Sequence, residues 1–355
     1  MNLAWQNYLQ SRQAIIQDGR VIHYGDTAAE LESARSPSAT VLADLSHSGL
    51  IRFAGEDAQS FLQGQVSCDI SEINSATASY GAYCTPKGRM LASFLMWRDG
   101  ADYVMQLPSS LQALTQKRLS MYVLRAKVRL TDDNDNLVRL GVSGEHAEKL
   151  VKEILRADPA LSGIPALKLG MVQGERGSII SLARDRFELA VTPELAPAVW
   201  ESLGKDAVPV GARCWEWLEI RAGIPVITPP TQEQFVPQMA NLDAIGGVSF
   251  HKGCYPGQEI VARARYLGKI KRRMYLANIQ PEILNTSVKA GDVLFSPDMG
   301  NQSAGMVVNA AHSPHSGFDV LAVIQTSSAE AGNIRWLSLD GPLLEIMALP
   351  YTVSQ

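Results

Sequence analysis

The stretch SGLIRFAGEDAQSFLQ, residues 48–63, decides the fold because the chain repeats its plan at residues 136–155, NLVRLGVSGEHAEKLVKEIL. SGLIRFAG alternates as a half-buried strand does. EDAQSFLQ then carries acids in its first turn and apolar Phe61 and Leu62, as a short helix does. Gly144-Glu145-His146-Ala147 echoes Gly55-Glu56-Asp57-Ala58 at the same point between strand and helix. The first copy continues with two strands about a Pro-Lys-Gly turn (SYGAYCTPKGRMLASFLMW), a third strand ADYVMQLP, a helix SSLQALTQKRLSMYV and a closing strand AKVRLTD, in the order β-α-β-β-β-α-β. The second continues with strand-like ALKLG, GSIISLA and FELAV and the helix PELAPAVWESL. The shared order predicts two α/β domains on one ferredoxin-like plan.

Beyond Arg273 the pattern changes to short alternating segments, SAGMVVNAA, FDVLAVIQ and LLEIMALP, split by Gly, Pro, Ser and Asn. These predict a small C-terminal β-barrel or sandwich. The expected class is α+β, with residues 45–135 as the first domain, residues 1–44 and 136–268 as the second, and residues 269–355 as the barrel.

With 355 residues, 46% hydrophobic and 19% charged, and no long apolar run, the chain reads as a soluble multidomain protein without a membrane span. The first residues, MNLAWQNYLQSRQAIIQDGR, lack a basic stretch followed by an apolar core. A cytoplasmic monomer is expected. Cys68, Cys84, Cys214 and Cys254 show no CxxC spacing and no paired histidine, which argues for reduced thiols and against a structural zinc, so no metal site is expected. The net charge of −4 gives no global attraction to nucleic acid. Locally, Tyr103 to Thr131 holds Lys117, Arg118, Arg125, Lys127 and Arg129 without an acid, and Ile260 to Pro281 holds Arg263, Arg265, Lys269, Lys271, Arg272 and Arg273 without one. Each run is either a solvated face or an anion-binding surface.

Residues 251–273, HKGCYPGQEIVARARYLGKIKRR, carry the candidate chemistry. Gly253 and Gly257 allow a tight turn. Pro256 and Glu259 suit the first turn of a helix running to Tyr266, with Gly268 as its stop. Cys254 then sits just before a helix N-terminus with Lys252 two residues away, a setting that favours thiolate. His251 is a possible base.

Lys252-Gly253-Cys254-Tyr255-Pro256-Gly257-Gln258-Glu259 resembles the signature of the YgfZ-type folate-binding proteins, Lys-Gly-Cys-aromatic-x-Gly-Gln-Glu. FLQGQVSCD, TPKGRML, AGIPVI and QFVPQMANLDAIGGVSFHKGC follow the family's order, and the resemblance runs from about residue 40 to 345. It implies a three-domain ring related to the glycine cleavage aminomethyltransferase, with tetrahydrofolate or a related folate in a central channel. It also implies a part in maintaining iron-sulfur enzymes, including those that modify transfer RNA. Cys254 and Lys252 are the expected catalytic pair. Gln65, Asp69, Tyr255, Gln258 and Glu259 are expected folate contacts, with Lys87, Arg89, Arg263 and Arg265 facing its anionic parts.

Two departures bear on the chemistry. The aminomethyltransferase relatives place an acidic pair after the hairpin glycine, whereas RMLASFLMWRD after Gly88 has no carboxylate before Asp99. They also carry glutamate where Arg221 stands, and an arginine cannot accept from a pterin. Glu219 or Glu216 is the alternative acceptor. The expected function is thus a folate-binding accessory to iron-sulfur client enzymes, with Cys254 ligating iron, carrying sulfur or forming a mixed disulfide. The alternative is a folate-dependent one-carbon transferase or demethylase acting on a small amine. Direct binding of transfer RNA is not expected, since no aromatic platform is visible.

Overall fold

Gly55 and Gly144 hold matching places in the computed structural model, which describes residues 1–157, 168–174, 177–266, 270–281 and 286–353. Their φ angles are +128° and +127°, a region that favours glycine. A β-carbon at Gly55 would overlap the carbonyl oxygen of Lys127, and one at Gly144 that of Ala39. The same two carbonyls accept from the amides of Asp57 (3.3 Å) and Glu145 (3.4 Å). The echo in sequence is therefore an echo in backbone geometry.

The chain divides into two units. The first comprises Met1–Phe61, Ile70–Ser79 and Leu95–Trp215, and the second Leu62–Asp69, Tyr80–Phe94 and Glu216–Gln355. In the first unit a six-stranded sheet runs Met171–Gly174, Gly177–Ala183, Arg186–Val191, Val138–Gly144, Thr40–Asp44, Val208–Val210. Its last pair is parallel and the others are antiparallel. Val138, Leu140 and Val142 face a core with Leu189, Trp5, Trp200 and the apolar side of helix Ala147–Ala157. Trp5 also donates to the buried Asp44 carboxylate at 2.8 Å.

The corresponding strands of the first copy follow the same order. The Leu95–Asp99 end of strand Met90–Asp99 pairs with Asp102–Pro108, which pairs with Ser48–Ala54, which pairs with Arg129–Asp132, all antiparallel. Arg52, half-buried on the middle strand, binds three carboxylates: Asp99 at 2.6 Å, Asp133 at 2.8 Å and Asp102 at 3.3 Å. Helix Ser109–Ser120 stops three residues before the expected end, and Leu124 then takes φ +44°. The strand expected at residues 166–170 does not form over Lys168–Gly170, because Leu169 turns the backbone at φ +61°. Residues 166–167 lie outside the described residues, and the strand is Met171–Gly174.

In the second unit the strands about the Pro86-Lys87-Gly88 turn precede a six-stranded antiparallel sheet curled as a half-barrel. Its order is Arg335–Trp336, Val293–Phe295, Ser303–His312, Phe318–Gln325, Arg272–Ile279, Leu344–Met347. Ala277, Val307, Val320, Ala322 and Trp336 fill one face.

Gly55→Ala and Gly144→Ala should each cost about 2–4 kcal/mol, because each adds backbone strain to a clash with a fixed carbonyl. Urea unfolding of the two variants checks this, with closely similar losses expected from the matching geometry.

Candidate functional site

The signature loop belongs to the second unit, and the segment leading into it is fastened along the strand that follows the Pro-Lys-Gly turn. Met90 donates to Phe235 O at 2.8 Å and accepts from Glu233 N at 2.8 Å. The Ser93 hydroxyl donates to Pro225 O at 2.8 Å and accepts from Ile227 N at 2.9 Å. Arg89 adds a 2.6 Å bond to Gln234 O. At the far end two glycines meet: a β-carbon on Gly257 (φ +84°) would come 2.6 Å from Gly88 Cα, and Gly88 itself has φ +70°. The turn and the loop approach this closely because neither carries a side chain there.

Lys252 is the pivot of the loop. Its side chain is buried, and Nζ donates to Cys68 O at 2.6 Å and Val66 O at 2.7 Å, beneath the Tyr255 ring at 5.3 Å. The expected pairing of this cation with Cys254 is therefore replaced by a clamp on the FLQGQVSCD segment. Burial pushes the ammonium down to about 8, opposed by the neighbouring Cys68 and Asp69. Burial also raises the Tyr255 phenol. Among the described residues the buried Tyr255 hydroxyl and Gln65 amide oxygen have no hydrogen-bond partner, and Asp69 accepts from Gln63 at 3.0 Å.

Cys254 is exposed, whereas Cys68, Cys84 and Cys214 are buried. Helix Gln258–Tyr266 begins four residues later with Glu259 in its first turn. Gln258 reaches back to Lys252 O and Gly253 O, both at 3.3 Å, which holds the loop from within. Lys87 and Arg263 are exposed, and the Arg265 guanidinium lies 4.1 Å over the Phe250 ring. The basic run is not one surface. Arg273 is buried and bound to Asp243 at 2.8 Å, where its strand enters the half-barrel. Gly268 and Lys269 lie outside the described residues, as does the side chain of Tyr266.

Arg221 and half-buried Glu219 lie on helix Ala212–Arg221. Arg221 points its guanidinium to Met347 Sδ (3.3 Å) and to Asp319 (3.8 Å), a buried carboxylate that also accepts from Trp217 at 2.8 Å. It anchors the helix to the half-barrel.

The sequence reading missed a polar layer in the first unit. Arg139, Ser143, Arg186 and Glu188 lie on the sheet face opposite the apolar core, all buried. Gln106 Nε2, from strand Asp102–Pro108, donates to Glu188 Oε2 at 3.2 Å, while Gln106 Oε1 has no partner among the described residues. Arg139 NH2 donates to Ser48 O at 2.5 Å and Leu45 O at 3.1 Å. Its Nε and Nη1 are buried without a partner among the described residues, and burial lowers its pKa against nearby Asp44 and Glu188. The signal was present: NLVRLGV, FELAV and YVMQLP each place one polar or charged residue at an inward position of an apolar strand. Among the described residues no three His, Cys, Asp or Glu side chains converge as a metal site requires, and no helix is long and apolar enough to cross a membrane.

Residues 20–249 match the family described as the GCVT N-terminal domain. The chain is 31% identical over 334 residues to the tRNA-modifying protein YgfZ of Colwellia psychrerythraea, covering 92% of this chain and 98% of that one. It is 30% identical over 335 residues to the tRNA-modifying protein YgfZ of Pectobacterium atrosepticum, covering 92% and 96%. Its fold matches the crystal structure of the glycine cleavage system aminomethyltransferase T from Bartonella henselae with a TM-score of 0.74, at 17% identity over 99% of this chain and 97% of that one.

Because the folded Lys252 holds its proton less tightly than the unfolded chain, whose value is near 10.5, the unfolded state binds more protons between about 8 and 10.5. Stability should rise with pH across that window, by about 1 kcal/mol over the first unit above 8. Denaturant unfolding at pH 8 and 9 should show this rise in the wild type and lose it in Lys252→Met.

Proposed function

Because the chain belongs to the YgfZ-type family, related to the glycine cleavage aminomethyltransferases, we propose that it is a tetrahydrofolate-binding accessory protein of transfer RNA modification. In this reading it serves iron-sulfur client enzymes, and Cys254 is its functional thiol. The observation that carries the proposal is the division of its four cysteines: three are buried, and the fourth is exposed on a loop fixed by Lys252, Gln258 and the Gly88–Gly257 approach. A protein that needed only packing would have no use for so constrained an exposed thiol.

The polar layer of the first unit supports the folate part. A pterin edge offers N–H groups that require acceptors and a carbonyl that requires a donor. Glu188 and Gln106 Oε1 accept, and Nε and Nη1 of Arg139 donate, the Gln106 and Arg139 atoms having no partner among the described residues. Glu188 thus supplies the acceptor that Arg221 cannot. The relatives' names support the link to transfer RNA modification.

The alternative, one-carbon transfer to or from a small amine, has less support. The only carboxylate on strand Met90–Asp99 is Asp99, and it is engaged by Arg52 at 2.6 Å and by Gln173 at 3.0 Å. It is not a free acid or base.

Titration calorimetry with tetrahydrofolate tests the polar layer as the folate site. Glu188→Gln, which keeps shape and removes charge, should weaken binding roughly tenfold or more, since hydrogen bonds to charged groups are worth about 1.5–3 kcal/mol. Unchanged affinity in Glu188→Gln, with loss only in Gln65→Ala, would move the pterin away from the first unit.

A further inference from the structure

We infer that the turn after helix Ser109–Ser120 is a docking surface for a protein partner that presents an apolar cleft with an acidic rim. It lies in the first unit, on the acid-free run from Tyr103 to Thr131. At this tip Leu124 is 88% exposed, Met121 62% and Tyr122 52%. Three large apolar side chains exposed within four residues differ from the isolated surface leucine that needs no explanation.

The patch is held in place. The amides of Met121, Tyr122 and Val123 donate to Arg118 O, Leu119 O and Ser120 O at 3.2, 3.0 and 3.3 Å, and Ala126 N donates to Val123 O at 2.7 Å. Leu124 takes φ +44°, a conformation costly for a leucine and suited to asparagine, aspartate or glycine. Neither stability nor solubility accounts for a leucine there, since a polar residue would serve both better.

The surroundings identify the partner's chemistry. Arg125 and Arg129 are exposed and Arg118 is half-buried. None of the three forms a salt bridge within the chain among the described residues, while nearby Lys127 pairs with Glu56 at 2.9 Å. Tyr, Met and Arg are the types enriched at protein interfaces, and a planar guanidinium suits bidentate carboxylates. Nucleic acid is disfavoured because leucine and methionine offer no face on which bases stack, leaving Tyr122 alone. An anionic bilayer would share the charge but gain less from arginine's fork geometry than carboxylates do. Charge complementarity therefore points to an acidic protein surface.

The test uses the full-length protein and a fluorescent amphipathic peptide with leucines on one helical face and glutamates flanking them, alongside the same peptide with lysines in place of the glutamates. The acid-flanked peptide should bind at least tenfold more tightly than the lysine form. Leu124→Asp combined with Met121→Asp should weaken binding at least tenfold, while tetrahydrofolate affinity stays unchanged and the melting temperature does not fall, since both side chains are exposed and aspartate tolerates the Leu124 backbone. Equal binding of the two peptides, or binding indifferent to the double substitution, would overturn the proposal. So would total transfer RNA bound with a steep salt dependence lost in Arg118→Ala/Arg125→Ala, or phosphatidylglycerol vesicles captured through Leu124 in place of the peptide.

Discussion

A buried ammonium must be met by acceptors, and Lys252 meets this requirement with the main-chain oxygens of Val66 and Cys68. The cation is therefore structural glue between the FLQGQVSCD segment and the signature loop, and the geometry around Cys254 depends on it. Gly88 and Gly257 provide the second constraint, because no other residue permits their backbones to approach so closely. With the loop fixed at both points, the thiol between them is left in solvent. The cost of burying Lys252 appears as a depressed pKa, and Cys254 keeps its exposure.

The first unit shows a different use of polar burial. The Arg52 cluster is closed on itself, its guanidinium meeting three carboxylates. The layer around Arg139 leaves donors and an acceptor unmatched among the described residues. Closed networks specify a fold, whereas unmatched buried groups are expensive unless something else completes them. This contrast is why the Arg139, Gln106 and Glu188 layer, and not the Arg52 cluster, is the candidate for ligand recognition.

Much of the fold was legible because it rests on periodicity and on glycine. The strand and helix order of both copies follows the alternation of SGLIRFAG and LVRLGVSG, and Gly55 and Gly144 announce the same tight crossing. The helix after the signature was readable from Pro256 and Glu259. Side-chain destinations were less legible. Lys252 reads as a partner for Cys254 because the two are two residues apart, but its direction is set by carbonyls 184 and 186 residues away, at 2.6 and 2.7 Å. Arg273 looked like part of a basic surface and is buried against Asp243. Arg221 and Glu219 stand at motif positions, whereas the buried carboxylate of Glu188 lies on an apolar strand that no motif marks.

In the proposed function the chain holds a folate and presents one thiol, and that thiol can be removed without disturbing the rest. A strain lacking the chain's own counterpart, complemented with wild type or Cys254→Ser, allows the modified nucleosides of its transfer RNA to be quantified by mass spectrometry. The expected result is that Cys254→Ser protein accumulates normally, binds tetrahydrofolate as the wild type does, and leaves the modification at the level of the uncomplemented strain. Full restoration of the modification by Cys254→Ser would contradict the account.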